Sequence, residues 1–183
     1  MTRAFVAVRP PGRVLDAVAA WFDAPDLPGA RFTTRDQWHV TLQFLGNRAD
    51  VEAVAAALAP LAVEAGPVRL GGAGAFPTER RARVLWLGVA QGAERFARLA
   101  EAVGALLAPL GHEPEARPYH PHLTLARLRP PADVRPVLAR LRAGPVGDAW
   151  TVREVVVYES HLRRTGARYE ARARIPLPGR PPG

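Results

Sequence analysis

Sliding the chain against itself by 83 residues aligns HVTLQFLGNRADVEAVAAAL (39–58) with HLTLARLRPPADVRPVLARL (122–141), and ten of these twenty positions are identical. Alanine-rich apolar helices match one another easily, which accounts for several of the identities. It does not account for the pairs His39/His122, Thr41/Thr124 and Asp50/Asp133. A strand, a turn, an aspartate at a helix start and a helix have been duplicated. Two equivalent units tend to pack about an approximate two-fold axis, as identical subunits do, so each copy presents the same surface to the other.

In each copy the histidine and threonine stand two residues apart on a β-prone string. Side chains at i and i+2 of a strand emerge on one face. The duplication therefore predicts two imidazoles and two hydroxyls facing each other across a groove.

The remaining elements fit around that frame. Hydrophobic patterning predicts a strand at 3–8, a helix at 12–23, a turn-rich segment through DAPDLPGA and a strand at 38–45. A helix follows at 51–65, capped by Asp50 and bent or ended by Pro60. Strands at 67–73 and 83–89 flank GGAGAFPTERRA, which opens no helix and so reads as a turn rather than a phosphate cradle. AERFARLAEAVGALLAPL carries apolar residues at 96, 99, 103, 106, 107 and 110, the spacing of one helix face. The second copy continues with a strand at 121–128, a helix at 133–142 and strands near 150–158 and 167–175. LPGRPPG (177–183) reads as a disordered tail, which leaves 1–176 as a single bilobal domain.

At 183 residues, 48% of them hydrophobic and 23% charged, the chain has the composition of a soluble domain with a sizeable core. No stretch approaches a membrane span, and MTRAFVAVRPP lacks the apolar core of a signal peptide, so a cytoplasmic location is expected. There is no cysteine, which excludes disulfides and thiolate metal sites. The net charge of +8 suits a polyanionic partner, but all 25 basic residues are arginine and none is lysine, a bias of composition as much as of surface charge.

Two histidines and two threonines around one groove match the needs of phosphodiester cleavage. One imidazole activates water, the other protonates the departing oxygen, and hydroxyls donate to the non-bridging oxygens. Histidine suits both proton roles because its ordinary pKa of about 6.5 lies near working pH. A zinc site is the rival reading, with His120 and His122 as a His-x-His pair and His39 as third ligand. Neither motif has an adjacent acidic residue, and zinc leaves the repeated threonine unexplained; His120 then reads as a local structural or substrate contact. His112 and His161 show no partner pattern and are expected to be exposed.

WHVTLQFLG, RPYHPHLTLARL, GAFPTERRARVLWLGV, RAFVAV and YESHLRRTGARYE together resemble the two-histidine (2H) phosphoesterases. Within them the strings are most similar to the RNA 2′,3′-cyclic phosphodiesterases, also called 2′-5′ RNA ligases (the ThpR/LigT-like family), over nearly the whole chain. The resemblance implies an α+β fold, a bilobal pseudo-two-fold duplication with two antiparallel sheets lining a central groove and helices outside. It implies metal-independent, cofactor-free opening of RNA 2′,3′-cyclic phosphate ends to 2′-phosphomonoesters, and ATP-independent 2′-5′ ligation as the reverse activity. Carried over by position, His39 is the proton donor, His122 the proton acceptor, and Thr41, Thr124 and Arg127 the phosphate contacts. Simple alternation sets Arg127 on the face opposite to His122, so a bulge or the end of the strand is required there. Phe5, Phe44 and Tyr119 flank the motifs as candidates for stacking on a base. The implied partner is RNA with a 2′,3′-cyclic end, tRNA fragments among the candidates, acted on by a monomer away from membranes. A 2H enzyme for a small cyclic nucleotide or nucleotide-sugar phosphate, and a non-catalytic RNA-end-binding module, are the alternatives.

Overall fold

A computed structural model describes residues 3–47, 49–141, 144–163 and 166–179. The elements in chain order are β1 (Arg3–Val8), α1 (Gly12–Trp21), β2 (Ala30–Phe32), β3 (Val40–Gly46), α2 (Val51–Leu58), β4 (Gly66–Phe76), β5 (Ala82–Gln91), α3 (Ala93–Leu107), β6 (Leu123–Ala132), α4 (Arg135–Arg140), β7 (Pro145–Val152), β8 (Glu154–Arg163) and β9 (Gly166–Pro176). None of these helices is long and apolar enough to cross a membrane.

The strands follow the order β7-β4-β5-β6-β3-β1-β8-β9, all antiparallel, with the short β2 alongside β6. The two central strands touch through a single pair, Val40 with Leu123. On each side of that joint lie four strands, β6-β5-β4-β7 in one lobe and β3-β1-β8-β9 in the other. The expected two sheets are thus one hydrogen-bonded sheet, pinched where the duplicated strands begin. Counting β2, which pairs with β6, the chain crosses between lobes four times: from β1 to β2, from β2 to β3, from α2 to β4 and from β7 to β8.

Strand alternation separates two apolar layers. Val6, Val40, Leu87 and Leu123 point outward into the main core, where Val14 and Val18 of α1, Val54 and Leu58 of α2, and Phe96, Leu99 and Val103 of α3 cover them. Phe5, Ala7, Val156 and Tyr158 point the other way and form a second, small cluster on the groove side. Asp50 caps α2, its Oδ1 accepting from the backbone N–H groups of Glu52 and Ala53. In the second copy, Asp133 accepts from Arg135 N and grips the Arg135 guanidinium at 2.6 Å; this ion pair holds the Asp133 carboxyl down at about 2.

Four segments depart from the pattern-based expectation. GGAGAF belongs to β4 rather than to a turn, because its glycines make room: the Trp86 ring of β5 lies where a Cβ on Gly74 would project. β2 lies at the end of the turn-rich segment; three residues carry too little periodicity to be seen. The strand expected near 150–158 is two strands, interrupted at Arg153, whose carbonyl accepts from Leu177 N. Leu177, placed in the disordered tail, is buried, and the Pro178 carbonyl accepts from Ala65 N. The remainder of that tail, 180–183, lies outside the described residues.

Candidate functional site

His39 and His122 each sit one residue before their strand, with Thr41 and Thr124 at its second position. Val40 and Leu123, the joint of the two lobes, are fully buried in the core. Alternation about that joint turns His39, Thr41, His122 and Thr124 to the other side, into the groove.

The imidazoles are held alike. His39 Nδ1–H donates to the carbonyl of Gln37 at 2.7 Å, and His122 Nδ1–H donates to the carbonyl of His120 at 2.8 Å, the same two-residue step in each copy. A carbonyl only accepts, so the proton is assigned to Nδ1, and Nε2 of the neutral ring carries the free lone pair. On His39 that Nε2 accepts from Thr41 Oγ1–H at 3.1 Å.

Aromatic rings wall both histidines. Phe5 stacks on His39 with centroids 4.7 Å apart, Tyr169 meets it edge-on at 5.2 Å, and Tyr158 stacks behind Phe5 at 5.3 Å. Phe76 meets His122 edge-on at 5.0 Å, while Trp86 lies 6.3 Å from His122 and 4.7 Å from His120. Removing the rings from water disfavours the imidazolium. Burial, with the charges of Arg9, His122 and Arg127 adding to it, pushes His39 down to about 4; burial followed by the charges of His120 and Arg127 lowers His122.

Arg127 acts on both imidazoles because a bulge is present. The β5–β6 register pairs Trp86 with Thr124 but Leu85 with Ala126, leaving Leu125 as an extra residue. Thr124 and Arg127 consequently share the groove face. The first copy has the same device: Ala7 pairs with Thr41 and Val6 with Gln43, so Leu42 is the extra residue and Phe44 swings onto the groove face.

The three aromatic candidates separate. Phe44 is 53% exposed and open to a ligand. Phe5 is 3% exposed, packed against His39, Tyr158 and Tyr169, and leaves no face for a base. Tyr119 is half-buried against the core, and its hydroxyl donates to the Thr41 carbonyl at 2.8 Å, bracing β3 from behind. His161 is not the isolated histidine expected: its Nε2 lies 3.2 Å from Glu170 Oε2 on the outer hairpin. The three-histidine zinc arrangement is not assembled, since among the described residues no three His, Asp or Glu side chains converge as metal ligands.

Sequence reasoning missed Tyr158, Tyr169, Trp86, Phe76 and Arg9. A signal existed for Trp86, an aromatic between the core leucines Leu85 and Leu87, and for Tyr158, which ends the buried run Val155, Val156 and Val157. Arg9 follows β1, and its guanidinium donates to the Asp36 carbonyl at 2.8 Å; nothing in its local sequence marks it. A cleft of about 430 Å³ lined by Thr34, Asp36, Gln37, Ala167, Arg168 and Tyr169 shares Tyr169 and Gln37 with the surroundings of His39.

Known proteins are similar to this chain in sequence and in fold. The chain is 33% identical over 141 residues to the RNA 2′,3′-cyclic phosphodiesterase of Aeropyrum pernix, covering 74% of this chain and 79% of that one. It is 31% identical over 172 residues to the protein of that name from Escherichia coli, covering 91% and 92%. A crystal structure of E. coli LigT complexed with 3′-AMP superposes with a TM-score of 0.77 at 26% identity, over 96% of this chain and 98% of that one. Residues 11–164 match the family model described as the 2′-5′ RNA ligase superfamily. With the duplicated His-x-Thr strands, the pinched antiparallel sheet and this match over most of its length, the chain belongs to the 2′-5′ RNA ligase superfamily.

Proposed function

We propose that the chain hydrolyses the 2′,3′-cyclic phosphodiester at an RNA end to a 2′-phosphomonoester. The observation that carries this reading is the pair of imidazoles with matching Nδ1–carbonyl locks, each presenting Nε2 to one groove under the charge of Arg127.

Water adds to phosphorus and gives its proton to His122 Nε2, and the P–O3′ bond breaks as His39 Nε2 protonates the departing oxygen. Thr41 and Thr124 donate to the non-bridging oxygens, and Arg127 offsets the charge that grows on them. His39, pushed down to about 4, is neutral in the free protein at pH 7. The anionic phosphate supplies the missing counter-charge, so His39 takes up its proton as the substrate binds. A 5′-hydroxyl in place of water would give a 2′-5′ linkage without ATP, because opening the ring supplies the driving force. RNA is the favoured substrate over a small cyclic nucleotide because an exposed ring, Phe44, and a cleft bordered by Tyr169 lie near the histidine pair and leave room for further nucleotides.

The test is incubation with an RNA ending in a 2′,3′-cyclic phosphate. The expected product carries its phosphate on the 2′ oxygen. A 3′-phosphate product would reverse the proposed bond cleavage, and no turnover would leave an RNA-end-binding module.

A further inference from the structure

Several arginines have a carboxylate partner, among them Arg35 with Asp16, Arg135 with Asp133 and Arg172 with Glu159. Three on the groove side do not. Arg3, Arg31 and Arg127 are exposed and have no carboxylate partner among the described residues, although all three charges act on Tyr169. Arg31 and Arg127 stand directly opposite each other across β2 and β6. Like charges so placed repel.

Local structure holds Arg31 there. The Arg31 guanidinium lies over Gly166 at the start of β9, 2.6 Å from where a Cβ would stand, and Gln37 Nε2 approaches the same point while donating to the Ala167 carbonyl at 2.6 Å. Gly166 has a φ of +136°, a conformation and a close approach that only glycine tolerates together. Tyr169 is edge-on to His39, and burial raises its hydroxyl pKa, so it remains a donor at neutral pH. Three cations and one phenol beside the histidine pair, with Asp36 the single carboxylate in the lining of the cleft next to Tyr169, make a receptor for a second anion.

We infer that Arg31, Arg3 and Tyr169 form a second phosphate subsite beside the histidine pair, taking the phosphate on the 5′ side of the terminal ribose; this rests on the cyclic phosphodiesterase reading above. A terminal nucleotide whose 2′ and 3′ oxygens are tied up in the cyclic phosphate has only its 5′ oxygen left for another phosphate. The subsite therefore distinguishes an RNA end, or a 5′-phosphorylated nucleotide, from a bare cyclic nucleoside phosphate. Arg127 lies between the two subsites and serves the reacting phosphate.

The test is calorimetric binding of three product-like probes: adenosine 2′-monophosphate, adenosine 2′,5′-bisphosphate, and a diadenosine phosphodiester ending in a 2′-phosphate. The wild-type protein is expected to bind the two probes carrying a 5′-side phosphate about tenfold more tightly at low salt, as charge-assisted hydrogen bonds allow. Arg31→Ala should reduce that gap to less than about twofold and Arg31→Lys should keep part of it, as expected for a charge contact. If only the bisphosphate shows the gap, the site takes a free 5′-phosphate and the assignment to an RNA end is overturned. Equal affinities in the wild type, or a gap that survives Arg31→Ala, would overturn the subsite altogether. Should Arg31→Ala unfold, Tyr169→Phe and the salt dependence of the wild-type gap decide instead. Turnover is read separately: a gap without hydrolysis of cyclic-phosphate RNA removes the activity and leaves the subsite, and hydrolysis without a gap does the reverse.

Discussion

Phe44 and Arg127 occupy the same position in the two duplicated strands, 83 residues apart, each carried onto the groove face by a bulge at the leucine two residues before it. The pseudo-two-fold frame thus presents an aromatic ring on one side of the reacting centre and a guanidinium on the other. The histidines and threonines are matched across the axis; this pair is not, and it gives the groove a direction.

Phe44→Ala is expected to raise KM for a cyclic-phosphate RNA by about 5- to 100-fold, the range of one lost base stack, with kcat little changed. An exposed ring contributes little to the fold, so thermal stability should hold. Unchanged KM would remove Phe44 from the binding surface.

Arg127→Ala is expected to lower kcat/KM by about 10²–10³-fold, the usual consequence of removing a donor aimed at developing negative charge. Its charge also disfavours both imidazolium ions, so His39 and His122 should titrate at higher pH in the variant. NMR titration of the two rings checks this; unmoved resonances would place the guanidinium away from the pair.

Replacing His39 or His122 by Ala should each lower hydrolysis by about 10²–10⁴-fold while the far-ultraviolet circular dichroism stays unchanged. The Nδ1–carbonyl locks orient the rings but hold no strand together, so the fold survives their loss. Full activity in either variant would contradict paired acid–base chemistry.

The duplicated strands, the four motif residues and the need for a break in alternation before Arg127 were legible in the sequence, because a repeat compares the chain with itself and identity there needs no model of packing. The ring walls were not. Tyr169 sits in GARYEARA among small and charged residues, with no periodicity to announce that its ring meets His39; only the pairing of β8 with β9 brings it there. Phe5 and Tyr119 were recognisable as neighbours of the site, yet their roles depend on which face each presents. Phe5 turns beneath His39, and Tyr119 reaches the back of β3 through its hydroxyl.

Gly74→Ala should destabilise the protein although it adds one methyl group to a strand interior. Trp86 lies over Gly74, and the strand pairing of β4 with β5 holds both backbones, so the indole must shift. Overpacking of this kind costs about 1–3 kcal/mol, seen as a lower Tm. Because Trp86 borders His120 and His122, kcat should fall with the Tm. A wild-type Tm would show that the ring relaxes freely.

Activity should persist in excess EDTA, because the proposed proton carriers and phosphate donors are side chains of the chain itself and no three His, Asp or Glu groups converge among the described residues. Loss of activity restored by zinc would favour a metal reading of His39, His120 and His122 instead.

The pH profile of kcat/KM reports the free protein, in which one histidine must be protonated and the other neutral. The singly protonated form is most populated between the two pKa values. Burial and the nearby cations push His39 down to about 4 and lower His122 as well, so both values lie below the ordinary 6.5. The optimum of kcat/KM is therefore expected on the acid side of 6.5, with a fall of about one decade per pH unit well above it. Bound cyclic phosphate adds a negative charge beside both rings and favours the imidazolium, so the kcat profile should peak at higher pH than that of kcat/KM. Arg127→Ala should move the kcat/KM optimum upward by removing a cation. Steady-state rates from pH 4 to 9 on a cyclic-phosphate RNA measure all three shifts; a flat profile, or a kcat/KM optimum above 7 in the wild-type protein, would contradict the buried, singly protonated pair.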